Sequence, residues 1–206
     1  NAHITVSSYD KTVDFKNLQN KNLDKISENL IFSNSSEAII ISEKNSKGVI
    51  LRGYLEKDFS KLDLIKNKNF IGKNKIIEKN SISIGKELSF NLNLDIGDNI
   101  TIMSSSGVET IIGNLPKKKT FTVTSIFESG LVDFDNNIIF LNLNTLEEFS
   151  NLSVNDRSLE IYLKNPQNID SQKKIVQEIF PNDLVVTWAD MNRSLFSALK
   201  VERNVM

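Results

Sequence analysis

The chain opens on an alternation. Ala2-His3-Ile4-Thr5-Val6-Ser7-Ser8 places apolar side chains at every second position, the period of a half-buried strand. The period then lengthens: Leu18, Leu23, Ile26 and Leu30 stand at near-helical spacing and predict a helix over 15–30. Residues 36–43 contain the apolar run Ala38-Ile39-Ile40-Ile41, a strand, and 49–55 reads as its return. Between them, Asn45-Ser46-Lys47-Gly48 has turn composition, with Gly48 able to supply a positive φ, so the pair predicts a hairpin.

The middle of the chain is richer in strands. Ile84-Gly85-Lys86-Glu87-Leu88 opens a short helix to about Leu92, and Asp95-Ile96-Gly97-Asp98 reads as a tight turn before a strand at 99–103. Residues 104–118 read as a long loop, 120–127 and 138–143 as strands. A helix starts at Asn144-Thr145 with Glu147 and Glu148 in its first turn, where carboxylates suit the helix dipole. Then come a strand at 159–163, a helix capped by Asp170 and running to Phe180, and a strand at 184–187. Ile175, Val176 and Ile179 face the core of that helix, and Trp188 reads as a core anchor. Strand–helix–strand at both ends around a strand-rich centre predicts an α+β fold, one subdomain (1–66 and 158–190) interrupted by a second (67–157).

From Asp190 to Met206, Met191, Leu195, Leu199 and Val205 fall near one helical face, and no Gly or Pro follows. Two readings stand: an ordinary amphipathic helix, or a helix at 190–206 that continues into a membrane. Asn1 and the abrupt Val205-Met206 both read as boundaries inside a longer protein. No run in the chain approaches the roughly 18 apolar residues that span a bilayer.

Composition narrows the chemistry. Lys+Arg 25 against Asp+Glu 26 leaves a net charge of -1, which offers nucleic acid no electrostatic attraction. With no cysteine there is neither a disulfide framework nor a thiolate metal site. With His3 as the one histidine, no Ser-His-Asp triad or multi-His zinc site can be built. No G-x-x-x-x-G-K-[ST] phosphate loop occurs, so Gly85 and Gly97 are not part of one, and no cofactor is expected. Asp133 and Asp135 would share one face of a strand; a polar turn edge is the weightier reading, because no matching nucleophile or basic partner accompanies them.

The loop 104–118 stands out, since long unstructured loops in compact domains are uncommon and often functional. It sets Val108, Ile111, Ile112 and Leu115 beside Lys117, Lys118 and Lys119. It reads either as a partner-binding finger, whose apolar side chains a partner covers, or as a loop folded back on its own core.

Several segments, in order along the whole chain, resemble one family. They are Asn1-Ala2-His3-Ile4-Thr5-Val6; the hairpin Gly48-Val49-Ile50-Leu51-Arg52-Gly53; and Ile84-Gly85-Lys86-Glu87-Leu88 followed by Gly97-Asp98. Leu115-Pro116 through Phe121 and Val123 to Phe127-Glu128-Ser129-Gly130-Leu131-Val132-Asp133-Phe134-Asp135 follows, and then Trp188-Ala189-Asp190 to Met206. Together these are similar to the periplasmic region of the Lol lipoprotein-releasing ABC transporter permeases (LolC, LolE or LolF type).

The resemblance implies a MacB-like periplasmic domain, a porter-like α+β subdomain with an inserted, strand-rich, sabre-like one. It places the domain between transmembrane helices of an inner-membrane protein of a Gram-negative bacterium. It implies a non-catalytic part that releases lipoprotein cargo to a LolA-type periplasmic carrier. The power would come from a separate cytoplasmic LolD-type ATPase subunit, beside a second permease protomer. A MacB-like or FtsX-like permease with another exported substrate is the alternative within the same superfamily.

The family's carrier-docking hook maps to roughly Ser105 to Pro116, including Val108, Glu109, Thr110, Ile111, Ile112, Gly113, Leu115 and Pro116. Its pad maps to Thr101, Lys118 and Lys119. Glu109 and Ile111 stand where the family hook often carries an aromatic and a proline, and Thr101 where the pad often has an arginine. The LolC-like, LolE-like and LolF-like roles remain open at this level.

Overall fold

The computed structural model describes residues 2–8, 13, 15–41, 46–66, 69–72, 77–110 and 113–191. In chain order the elements are β1 (Ile4–Ser8), α1 (Lys21–Ile26), β2 (Ser27–Ile41), β3 (Ser46–Tyr54), α2 (Glu56–Phe59) and α3 (Asp63–Lys66). Then come β4 (Ile71–Gly72), β5 (Ser81–Gly85), α4 (Lys86–Leu92), β6 (Asn99–Thr110), β7 (Gly113–Phe127) and α5 (Val132–Asn137). The last are β8 (Ile138–Asn142), α6 (Leu143–Ser150), β9 (Ser158–Leu163), α7 (Ile169–Ile179), β10 (Asp183–Thr187) and α8 (Trp188–Met191). The chain divides into an outer unit, Asn1–Phe32 with Asn155–Met206, and an inserted unit, Ser33–Val154. Residues 33–66, expected with the outer unit, thus lie in the inserted one, and the insertion ends at 154 instead of 157.

In the outer unit β1 lies between β9 and β10 and is antiparallel to both. β9 and β10 therefore run parallel, joined through α7, a strand–helix–strand crossover with β1 inserted. Val6 faces Leu159 on one side and Val185 on the other, and Ile4 faces Ile161. These side chains are buried against Val176, Ile179 and Phe180 from α7 and its end, and against Leu23 from α1. The expected core face of α7 is the one buried, with Ile175 partly covered beside it.

Two helix limits in this unit differ from the sequence reading. The helix predicted over 15–30 is a 3-10 turn at Phe15–Gln19 followed by the short α1. Ser27 ends α1: its backbone is extended and its Oγ donates to the Leu23 carbonyl at 2.7 Å. The Ser27 N–H donates to the same carbonyl, so backbone and side chain both close the last turn, and Leu30 continues in β2 and not in a helix. Asp170 lies in the first turn of α7, whose cap position is Asn168, because Pro166 already starts a 3-10 turn capped by Asn165. Trp188, expected as a core anchor, is only partly buried.

The last described helix begins at a reciprocal cap. The Thr187 N–H donates to Asp190 Oδ2 at 2.9 Å, and the Asp190 N–H donates to Thr187 Oγ1 at 3.1 Å. Lys173 Nζ of α7 also donates to Asp190 Oδ2, at 2.7 Å. The Lys173 hydrogen bond, then those from Thr187, hold the Asp190 carboxyl well below the usual carboxylate range. A depressed folded-state pKa contributes stability above the unfolded value, which fades as pH falls. Asp190→Asn should therefore be less stable than the parent at pH 7. That difference should narrow as the pH is lowered below about 4. Urea unfolding of both chains at pH 7 and pH 3 reads this, and a pH-independent difference would refute it.

The inserted unit is a closed ring of strands. β2 pairs β3, β3 pairs β8, β8 pairs β5, β5 pairs β7, β7 pairs β6, and β6 returns to β2 at Ala38↔Ser104 through Ile41↔Thr101. Each strand sends two side chains, two positions apart, into the interior: Ala38 and Ile40, Val49 and Leu51, Ile139 and Leu141, Ile82 and Ile84, Phe121 and Val123, Ile100 and Ile102. All are buried, so the six-stranded barrel is filled, not hollow. Leu146 and Phe149 of α6 and Leu88 of α4 complete the core.

Local differences follow from this ring. Of the turn expected at Asn45–Gly48, Ser46, Lys47 and Gly48 instead pair within β3, Gly48 without a positive φ, and residues 42–45 lie outside the described residues. Gly97 does take φ 104 in the expected turn, where the Asp98 N–H donates to the Asp95 carbonyl at 3.1 Å. α6 begins at Leu143 because Asn142 Oδ1 accepts from the N–H groups of Asn144 and Thr145. Glu147 therefore sits beyond the first turn, buried, where its Oε1 accepts from Asn34 Nδ2 at 3.4 Å. On the outside of the barrel Phe140 is surrounded by the rings of Tyr54, Phe59, Phe127 and Phe134.

Candidate functional site

The segment read as a loop at 104–118 is a two-stranded extension of β6 and β7. Pairing runs from Asn99↔Thr122 to Met103↔Lys118, breaks, and resumes from Gly107↔Pro116 to Thr110↔Gly113. Across the break β6 takes four steps (103 to 107) where β7 takes two (118 to 116), so β6 carries a bulge at Ser104–Ser106. Serine suits this place because its hydroxyl both donates and accepts on a short stem. Ser104 Oγ and Ser106 Oγ are 2.9 Å apart, Ser105 Oγ donates to the Glu37 carbonyl at 2.9 Å, and Ser106 Oγ donates to the Ser150 carbonyl at 2.6 Å. Ser104-Ser105-Ser106-Gly107 shows no apolar alternation, so local periodicity carries no sign of this pairing.

Of the hook residues, Val108, Glu109, Thr110 and Gly113 belong to the paired backbone of this hairpin. Ile111 and Ile112, and the side chains of residues 108–114, lie outside the described residues. Leu115 is 54% exposed, and Pro116 is exposed beside it. Pro116 sits on a stretch of β7 whose one described pairing is with β6, where a residue lacking an N–H is tolerated.

Of the pad residues, Thr101 and Lys118 share a surface and Lys119 does not. Thr101 pairs Thr120 across the hairpin, their Oγ1 atoms 3.1 Å apart, and exposed Lys118 lies on that same outward face. Lys119 points the other way, with Nζ 5.3 Å from the ring centroid of Phe121, a core residue of the barrel. Lys117, read as part of a basic cluster, donates to the Glu148 carbonyl at 2.9 Å and to Asn151 Oδ1 at 2.5 Å. Asn151, which the sequence reading passed over, in turn donates through Nδ2 to the Gly107 carbonyl at 3.0 Å. The one signal for it was an Asn directly after a helix, a common left-handed end residue.

Beside the bulge lies an open groove of about 440 Å³, bordered by Ile39, Gly48, Ile50, Ser105 and Asn137. Ile39 and Ile50 are 39% and 42% exposed there, which extends the apolar surface next to the hairpin. Lys47, near its edge, has its pKa lowered by burial and donates to Asn136 Oδ1.

The other candidates for chemistry do not assemble. Asp133 and Asp135 are on α5, not on a strand. Asp135 is buried and receives the Ser129 N–H on both carboxylate oxygens, at 2.9 and 3.0 Å, which makes it a turn-holding residue. His3 Nδ1 accepts the Leu163 N–H at 2.9 Å and its ring stands edge-on to Tyr162. Among the described residues no group of His, Asp and Glu could hold a metal ion, and no helix is long and apolar enough to cross a membrane.

No family model matches the chain. Among curated proteins it is 25% identical over 174 residues to the lipoprotein-releasing system transmembrane protein LolC of Xylella fastidiosa (strain Temecula1), a match covering 83% of this chain and 42% of that protein. To LolC of Neisseria meningitidis serogroup B it is 26% identical over 176 residues, covering 84% and 42%. To LolC of Buchnera aphidicola it is 30% identical over 130 residues, covering 61% and 31%. The chain thus spans less than half the length of these relatives. The periplasmic region of MacB from Actinobacillus actinomycetemcomitans superposes with a TM-score of 0.52 at 10% identity, covering 93% of this chain and 91% of that one. The α+β class and the MacB-like periplasmic architecture expected from the sequence are the ones observed.

Proposed function

With LolC proteins as its curated homologues over most of its length and the fold of the MacB periplasmic region, we propose that this chain is the periplasmic domain of a lipoprotein-releasing ABC transporter permease. In this reading the β6–β7 hairpin docks a LolA-type carrier, lipoprotein cargo passes between them, and motion comes from a LolD-type ATPase on the far side of the membrane. A second permease protomer completes the complex. The observation that supports docking is the hairpin itself, a paired extension of the barrel with an exposed Leu115. Apolar side chains on such an extension gain most when a partner removes them from water. Thr101 and Lys118, on the outward face of the hairpin base, supply polar contacts at its rim. The domain's own role is binding and transmission, and ATP hydrolysis falls to the separate subunit.

The test uses the chain with the LolA-type carrier of the same organism. The parent should bind, and Ile111→Asp with Ile112→Asp should weaken binding more than tenfold, at least about 1.4 kcal/mol. Unchanged affinity sinks the hairpin assignment. No binding by the parent turns the role towards the LolE-like protomer. The MacB fold keeps one alternative in view, a MacB-like or FtsX-like permease with another substrate. A LolD-type ATPase gene beside the full-length gene separates the two.

A further inference from the structure

We infer that the C-terminal end of α6 sets the angle at which the β6–β7 hairpin leaves the barrel, with Asn151 as its positioning residue. Asn151 follows α6 directly and takes the left-handed conformation, φ 54. Its Oδ1 accepts from Lys117 Nζ on β7 at 2.5 Å, while its Nδ2 donates to the Gly107 carbonyl on β6 at 3.0 Å. One side chain thus holds both strands of the hairpin immediately beyond the bulge.

Two carbonyls from the end of α6 add to the clamp. Glu148 O accepts from Lys117 Nζ at 2.9 Å, and Ser150 O accepts from Ser106 Oγ at 2.6 Å. A helix leaves its last carbonyls without internal partners, and its dipole favours a cation there, so an ammonium and a hydroxyl are the groups this end attracts. The Leu152 N–H closes back on the Glu147 carbonyl at 3.0 Å, which leaves Glu148 O and Ser150 O for the hairpin. The other side of α6 packs into the barrel: Leu146 and Phe149 are core residues, and the Phe149 ring meets Phe121 edge-on at 5.9 Å. A load on the hairpin therefore reaches the barrel core through α6 as well as along the strands. Its functional sense, a docking element presented at a set angle, rests on the reading proposed above. The clamp itself stands on the hydrogen bonds.

The absence of cysteine makes a direct test simple. Spin labels on Leu115→Cys and Ile50→Cys, both exposed, report the distance from hairpin to barrel. The parent should give one narrow distribution. Asn151→Gly removes both bonds yet keeps the backbone, since glycine adopts a positive φ freely. It should broaden the distribution roughly twofold while Tm moves by less than about 2 °C. Lys117→Met should broaden it likewise, and Lys117→Arg, which keeps a donor, should restore the narrow form. An unchanged width in Asn151→Gly overturns the inference. So does a broadening that comes with loss of cooperative unfolding, which would make Asn151 a stability residue only. The distances need no carrier, so failure of carrier binding in the parent bears on the docking reading alone.

Discussion

Phe140→Ala should lower the stability of the inserted unit by about 4 kcal/mol. Phe140 is 1% exposed and stands on the outer face of β8, between the barrel-facing Ile139 and Leu141. Its ring centroid lies 4.7 Å from that of Phe127, 5.7 Å from Tyr54, 6.0 Å from Phe59 and 6.3 Å from Phe134. Four rings thus rest on one side chain, and each is part of a different element or element end. Removing it takes away the buried aromatic area and leaves a cavity that four bulky neighbours cannot jointly fill. Urea unfolding followed by far-ultraviolet circular dichroism reads the loss. A change under about 1 kcal/mol would mean that the cluster closes without Phe140.

Gly85→Ala should cost about 3 kcal/mol, near the upper end for overpacking. A Cβ at Gly85 would fall 2.0 Å from the Asp135 carbonyl oxygen and 2.5 Å from its carbonyl carbon and Cα. These are backbone atoms of α5, and Asp135 is itself tied to the turn at Ser129, so no rotamer change relieves the overlap. β5 would have to separate from α5. Gly48→Ala is the matched control, because nothing lies within 4 Å of a Cβ there and its φ is not positive. That variant should be neutral or slightly stabilising, by a few tenths of a kcal/mol. Equal melting curves for the two variants would contradict the close approach.

What was legible in the chain was what its local periodicity encodes. The alternation at 2–8 and 120–127 marked strands with one face in a core, and the apolar runs at 138–143 and 159–163 marked strands buried on both faces. The face of α7 was legible for the same reason. The segments that misled were those shaped by short-range polar contacts that apolar spacing does not show. Leu30 keeps helical spacing with Leu23 and Ile26, yet Ser27 caps α1 first. Asp133-Phe134-Asp135 alternates like a strand, yet it forms α5, where Asp135 holds Ser129 and Phe134 packs against Phe127. The candidate site was half legible. The apolar and basic composition singled out 104–118, but composition gave no sign that Lys117 and Lys119 turn back onto the molecule while Lys118 faces outward.

Local pattern and composition thus suffice for the α+β class, the position of most strands, the lack of thiol and multi-histidine chemistry, and the likeness to one family of permeases. That six strands close into a filled barrel emerges only from the folded chain. That closure depends on β6 returning to β2 some sixty residues earlier in the chain, Ala38↔Ser104, and no local pattern specifies such a partner. The folded chain likewise decides that 104–118 is a clamped hairpin and not a loop. The bonds that make it so join Ser106, Gly107 and Lys117 to the end of α6, more than thirty residues away. Apolar periodicity says which face of an element is buried; which distant donor meets which acceptor is settled only when the chain is folded around it.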